Sequence, residues 1–215
     1  MNKTSKFGIL GILLALSVWM AWEMLDRFSE EKLWGYRPLV LFLAVWALIV
    51  LGRRFLLKKY DKDWKLLGLS SLSGLILALG FPDIIPMPLL MFIGFIPLLL
   101  VEQTLAERQE GTNKVGVLRY AYNTFVIWNV LSTYWVANTA FAAGLVAILV
   151  NSFFMCIPWL AFHQTKKVMP KFGYLSLIVY WISFEYLHLN WELSWPWLTL
   201  GNSFAEFPSW IQWYE

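Results

Sequence analysis

From Tyr120 to Thr165 the chain holds no Asp, Glu, Lys or Arg. As a single helix rising 1.5 Å per residue, that stretch would run about 69 Å, roughly twice the hydrocarbon thickness of a bilayer. The chain must therefore fold back within it and cross twice. Asn138 and Thr139, the most polar neighbours midway, mark the turn, and the spans on either side are predicted over about Tyr120 to Val136 and Ala142 to Phe162. The rest of the sequence agrees in character. It is 59% hydrophobic and 14% charged, with a mean hydropathy of +0.58, which excludes a soluble globular domain and a disordered chain alike.

Other charge-free runs place the remaining spans at Phe7 to Trp22, Pro38 to about Leu57, Leu66 to Phe81, about Pro88 to Val101, and about Phe172 to Leu189. The fold expected is all-α, a polytopic transmembrane helical bundle of about seven spans. Seven spans of roughly 20 residues leave roughly nine residues for each loop or tail, too few for a separate soluble domain. Lys3 and Lys6 before the first run could open a signal peptide, but the small pair Ala15 and Ser17 lies inside the apolar core, so the run reads as a span. Counting Lys and Arg alternately by side puts Arg27, Lys32 and Arg37 on one face of the membrane and the other 14 of the 17 on the opposite face. By the positive-inside rule the N-terminus is expected in the cytoplasm and the C-terminus outside.

One cysteine and two histidines exclude a disulfide framework and a Cys/His metal centre. A net charge of +3, distributed over loops, excludes a nucleic-acid binder, and no cofactor is expected. There is no G-x-S-x-G, P-loop or H-E-x-x-H motif. Cys156 falls mid-span and reads as packing; His163 reads as a boundary residue beside Lys166 and Lys167.

Four polar or aromatic features stand out. The link Gly80-Phe81-Pro82-Asp83-Ile84-Ile85-Pro86-Met87-Pro88 has too many prolines for a continuous helix. In the fifth span Asn129 and Thr133, four apart, share a face that should look toward other helices, either as interhelical hydrogen bonding or as the polar wall of an amphiphile cavity. Tyr134 and Trp135 close that span. Glu185 reads as the only acid well inside a span, since Glu23 and Glu102 fall at span ends; His188, three residues on, is its natural partner. Finally, five of the 14 tryptophans fall between Trp191 and Trp213, and such a segment favours the outer headgroup level, as an anchor or as a lipid site.

The order of these blocks resembles the membrane half of the apolipoprotein N-acyltransferases. The resemblance rests on Ala78-Leu79-Gly80-Phe81-Pro82 with a following apolar span ending near Pro97-Leu98-Leu99-Leu100, on Tyr134-Trp135-Val136, and on Glu185 followed by Trp195-Pro196-Trp197-Leu198, Gly201 and Ser203. It covers about Leu66 to Glu215, so the organisation expected is two additional N-terminal helices in residues 1–60 and the acyltransferase membrane region in 61–215. His188 stands where the family often has arginine, and Trp195 where it often has phenylalanine.

The resemblance implies an enzyme of the bacterial inner membrane with a periplasmic C-terminus. Its partners would be a phospholipid acyl donor and a lipidated apolipoprotein, joined through an acyl-enzyme thioester. The family's catalytic glutamate, lysine and cysteine belong to a nitrilase-like domain, and the abrupt end at Trp213-Tyr214-Glu215 reads as a truncation before it, so no catalytic residue is assigned and the fragment is expected to be inactive alone. Phe81, Pro82, Tyr134, Trp135, Trp195, Pro196 and Trp197 are then candidates for lipid access, and Glu185, His188 and Asn129 for intramembrane polar structure. Set against this is a small transporter or channel with Glu185 lining the pathway, or a bare scaffold. The transporter would carry paired broken helices in two halves, a symmetry this sequence lacks.

Overall fold

The computed structural model describes residues 2–57, 63–81, 85, 87–108 and 114–212. Pro82, Asp83, Ile84 and Pro86 of the proline-rich link lie outside the described residues, as does Trp213. The described residues are helical and contain no strand: α1 (Lys3–Ser29), α2 (Arg37–Leu56), α3 (Trp64–Leu79), a single turn α4 (Met91–Gly94), α5 (Ile96–Glu107), α6 (Lys114–Thr133), α7 (Phe141–Val168) and α8 (Gly173–Leu189). Among the described residues four helical stretches are long and apolar enough to cross a membrane: α1, α2, the run Pro88–Glu107 and α7; α3 is a shorter apolar helix. The protein is an all-α membrane helical bundle. It divides into two compact units, one of residues 1–64 with 133–146, the other of 65–132 with 147–215.

In the first unit α1 begins on the side chain of Asn2, which accepts from the Ser5 amide at 2.8 Å. Its inward stripe, Ser17, Met20 and Met24, recurs at helical spacing, whereas Trp19, Trp22 and Leu25 on the other side are exposed. The turn into α2 passes through Gly35 at φ +61°, a left-handed conformation that glycine takes without strain. Trp34 Nε1 donates to the Met24 carbonyl at 2.8 Å, and Arg37 reaches Glu23 at 3.2 Å, so the two helix ends are tied on both sides of the turn. The fold-back expected near Asn138 is a 3-10 helix, Tyr134–Asn138, with α7 restarting at Phe141. Asn138 Nδ2 donates to the Gly35 carbonyl at 3.0 Å. A Cβ on Gly144 would sit 2.8 Å from the Ala137 backbone, so the absence of a side chain there is what lets α7 return so closely.

In the second unit α6 is buried on nearly every side from Tyr120 onward. This explains how α6 can carry Asn123, Thr124, Asn129 and Ser132: it faces protein, where polar groups find partners. Against it lies α3, whose Ser70, Gly74 and Ala78 repeat a small residue every fourth position. Thr124 Oγ1 donates to the Ser70 carbonyl at 2.7 Å, and Asn123 Nδ2 to the Ser70 and Ser71 hydroxyls at 2.9 and 3.1 Å. A Cβ on Gly74 would meet the Thr124 carbonyl oxygen at 2.6 Å, a backbone atom that cannot swing aside. We expect Gly74→Ala to lower stability by about 1–3 kcal/mol in an SDS unfolding titration. Gly68→Ala on the same helix, where nothing lies within 4 Å, should leave it unchanged.

The core of this unit is aromatic. Phe95, which breaks the run between α4 and α5, packs edge-on to Trp181 at 4.8 Å, while Trp128 stacks on Trp181 at 6.3 Å. Phe125 and Trp159 complete the cluster.

Candidate functional site

The inward face of α8 carries Trp181, Glu185 and His188 at helical spacing; Leu175, Ile178, Val179, Ile182 and Tyr186 point outward and are exposed. After Leu189 the chain enters three 3-10 turns, Pro196–Leu198, Leu200–Phe204 and Pro208–Trp210. Pro196 opens the first, where its missing N–H is no loss.

Glu185 and His188 do not pair with each other. Glu185 Oε1 accepts from Trp181 Nε1 at 2.9 Å and from the Leu200 backbone amide at 2.9 Å. His188 Nε2 meets Asn151 Oδ1 on α7 at 2.8 Å. A three-residue spacing puts both side chains on one face, but each meets a stronger claim from another element. A 3-10 turn begins with amides that lack a partner, and a carboxylate is the best acceptor for one. Glu185 therefore ties the tryptophan-rich loop to α8. The loop adds its own ties: Asn202 Nδ2 donates to the Pro196 carbonyl at 2.7 Å and Ser203 Oγ to the Leu200 carbonyl at 2.7 Å, with Leu198 and Ser203 buried beneath.

Asn151 heads a second arrangement that sequence reading passed over. Its Nδ2 donates to Asn129 Oδ1 at 2.7 Å, and Asn129 Nδ2 donates to the Phe125 carbonyl at 2.9 Å. The chain has a direction. A carbonyl only accepts, so Asn129 presents its amide nitrogen to Phe125 and its oxygen to Asn151; Asn151 in turn presents its oxygen to His188, and His188 must carry its proton on Nε2. Three helices, α6, α7 and α8, are thereby joined through buried groups, and the histidine tautomer is set by a helix carbonyl three links away. The one signal in sequence was Asn151 itself, beside Ser152 in an otherwise apolar stretch. Between this chain and the loop lies a cavity of about 10 Å³, lined by Asn151, Glu185, His188, Trp195 and Thr199, at the lower limit for one water.

The other predicted residues scatter. Phe81 is 3% exposed and packs on Trp128 at 5.6 Å, in the core rather than on an open surface. Pro82 is outside the described residues. Tyr134 and Trp135 fall in the 3-10 fold-back, in the first unit. Trp195 is half-buried, whereas Pro196 and Trp197 are exposed on the loop.

Glu102 lies five residues before the end of α5 and is 1% exposed, with Oε1 accepting from His163 Nδ1 at 2.7 Å and Oε2 from Lys166 Nζ at 2.6 Å, a burial the sequence did not signal. His163, 2% exposed, is a partner in this buried group. His163 and Lys166 are three apart on α7 and converge on one carboxylate. Cys156 is buried and donates to the Ser152 carbonyl at 3.3 Å, as a packed thiol would. Among the described residues no group of His, Cys, Asp or Glu could hold a metal ion.

Fold and site together define a polytopic α-helical membrane protein whose α8 holds an aromatic loop through the Glu185 carboxylate. Residues 73–215 match the apolipoprotein N-acyltransferase N-terminal domain, two thirds of the chain, and the protein belongs to that family. It is similar to the apolipoprotein N-acyltransferase of Chlorobaculum tepidum, 28% identical over 151 residues, which cover 68% of this chain and 27% of that protein. The chain thus spans about a quarter of the length of that curated relative. No solved structure matches. The transporter or channel reading is not favoured by these matches.

Proposed function

We propose that this chain is the membrane-embedded region of an acyltransferase that moves an acyl chain from a phospholipid, through an acyl-enzyme thioester, to the amine of the N-terminal cysteine of a diacylglyceryl apolipoprotein. The region anchors the enzyme in the bacterial inner membrane, with its N-terminus cytoplasmic and C-terminus periplasmic, and alone it is inactive. Residues 1–60 are an added pair of helices before the family region of 61–215. Phe81, Pro82, Tyr134, Trp135, Trp195, Pro196 and Trp197 shape the route by which lipid reaches the reacting groups, and Asn129, Glu185 and His188 hold the helices that carry it.

The observation that supports this most is the bond from the Leu200 amide to Glu185, because it presents a loop with exposed Trp197 at the end of a span. Acylation of a diacylglyceryl peptide, measured in a protein carrying this region together with an acyltransferase domain, tests it. Glu185→Gln keeps an acceptor oxygen and should retain most activity. Glu185→Leu releases the loop and should lower kcat/KM by about tenfold, the factor of 1.4 kcal/mol. Trp197→Ala should raise KM for the lipid donor. Unchanged kinetics in both Glu185→Leu and Trp197→Ala would remove the loop from the reaction.

A further inference from the structure

α7 is long and apolar enough to cross a membrane, and its 28 residues make about 42 Å of helix against a hydrocarbon core of about 30 Å. A helix of that length carries its end past the hydrocarbon to the headgroups when it crosses. At that end Lys166, Lys167 and Lys171 follow one another closely, and from Gly111 to Phe184 the sequence has no Asp or Glu to offset them. The structure divides the three. Lys166 turns inward, its Nζ held by Glu102 at 2.6 Å and lying over the rings of Phe162 and Tyr174. Lys167 and Lys171 are exposed, and neither meets a carboxylate among the described residues.

The connector that carries these two lysines is tied at both ends. The Met169 amide donates to the Thr165 carbonyl at 2.7 Å and the Phe172 amide to the Met169 carbonyl at 3.0 Å, while Thr165 Oγ1 pairs with the Tyr180 hydroxyl at 3.0 Å. Gly173 is buried against the Lys166 stem, where a Cβ would lie 2.7 Å from Lys166 Cγ. Because Glu102 fixes Lys166, the turn packed on that stem is fixed as well. Large apolar side chains stand beside the free lysines and also face outward: Val168, Met169 and Phe172 are all exposed. That mixture discriminates between partners. A soluble polyanion would meet the charges and leave these side chains in water, and two lysines make few of the phosphate contacts on which nucleic-acid affinity depends. A bilayer offers anionic headgroups at one level and hydrocarbon just beneath.

We propose that the connector between α7 and α8 is a recognition surface for anionic phospholipid, with Lys167 and Lys171 at the headgroup and Val168, Met169 and Phe172 at the upper end of the acyl chains. Lys166 takes no part, since Glu102 already matches its charge. An ethanolamine lipid also carries a phosphate, but its own ammonium group cancels the charge that the two lysines would meet. The surface draws on no step of acyl transfer, and its test reads none.

The experiment titrates this chain, in detergent micelles, with palmitoyl-oleoyl phosphatidylglycerol or with phosphatidylethanolamine of the same chains, and reads the first bound lipid by native mass spectrometry. A lysine near an anionic surface is worth about fivefold in affinity, so the pair predicts a preference of about 25-fold for the glycerol lipid. Lys167→Gln with Lys171→Gln should abolish that preference, while Lys167→Arg with Lys171→Arg keeps the charge and should keep it. Lys3→Gln with Lys6→Gln, which removes two charges from the start of α1, should leave it intact. Phe172→Ser should weaken both lipids alike. Both lysines are exposed, so the glutamine pair should unfold at the parent's midpoint in SDS, which separates lost binding from lost fold. Equal affinity of the parent for the two lipids, a preference that survives the glutamine pair or falls equally in the Lys3 and Lys6 pair, or displacement of the lipid by an RNA oligonucleotide at lower concentration would overturn the proposal.

Discussion

Replacing Glu102 with leucine is expected to destabilise the protein by about 3 kcal/mol in an SDS unfolding titration. The carboxylate is 1% exposed and shared by His163 Nδ1 and Lys166 Nζ. Breaking a buried ion pair by removing one partner typically costs about 3–5 kcal/mol, because the other charge stays behind uncompensated. Lys166 sits over the rings of Phe162 and Tyr174, with 19% of its side chain exposed, so its ammonium group keeps some access to the protein's surroundings. That places the cost at the lower end. A double variant decides whether the charge pair is responsible. Glu102→Leu with Lys166→Met removes both charges, and should recover more than half of the loss, since apolar replacement of a whole buried pair is often neutral. If the double variant is as unstable as the single one, the group acts through packing and not through charge.

Asn151→Leu should cost about 1–3 kcal/mol in the same titration. It removes two hydrogen bonds, to Asn129 Oδ1 and from His188 Nε2. Interhelical hydrogen bonds in membrane proteins average about 0.6 kcal/mol each, with a maximum near 1.7. Stability alone would not separate this from a packing change, because leucine is bulkier than asparagine. The histidine ring does separate them. In the parent protein, nitrogen NMR of ¹⁵N-labelled histidine should show His188 protonated at Nε2, the form imposed by the acceptor at Asn151. In Asn151→Leu that restriction ends and the ring should populate the other tautomer. A ring in the Nε2–H form in both proteins would mean that the direction of the chain is set elsewhere.

How much of this was legible in the sequence differs from residue to residue. The helical membrane character and the fold-back beside Asn138 follow from a charge-free stretch too long for one crossing, and this reading needs no partner residue. Glu102 shows the opposite case. Gln103 follows it at once, and Glu107 and Arg108 lie soon after, so its neighbourhood has the look of a helix running out into solvent. Its burial comes from α7, whose His163 and Lys166 stand 61 and 64 residues further on. The same limit applies to Asn151, one amide in an apolar run, which acquires meaning only when α6 and α8 are set beside it. Glu185 and His188 mark a further boundary. Their spacing does put them on one helix face, but what each bonds across that face is decided by another element. For Phe81 the resemblance and the proline-rich context suggested a place on a lipid-access route, while the ring packs inward onto Trp128.

The grip of Glu185 on the loop is made on the main chain at Leu200, not on a side chain. A carboxylate that holds an amide is indifferent to what the residue carries, provided that it is not proline. Substitutions along the loop can therefore alter what it offers to a ligand while its place on α8 stays unchanged. One glutamate in the helix keeps the loop's address, and that address does not depend on which side chain Leu200 carries.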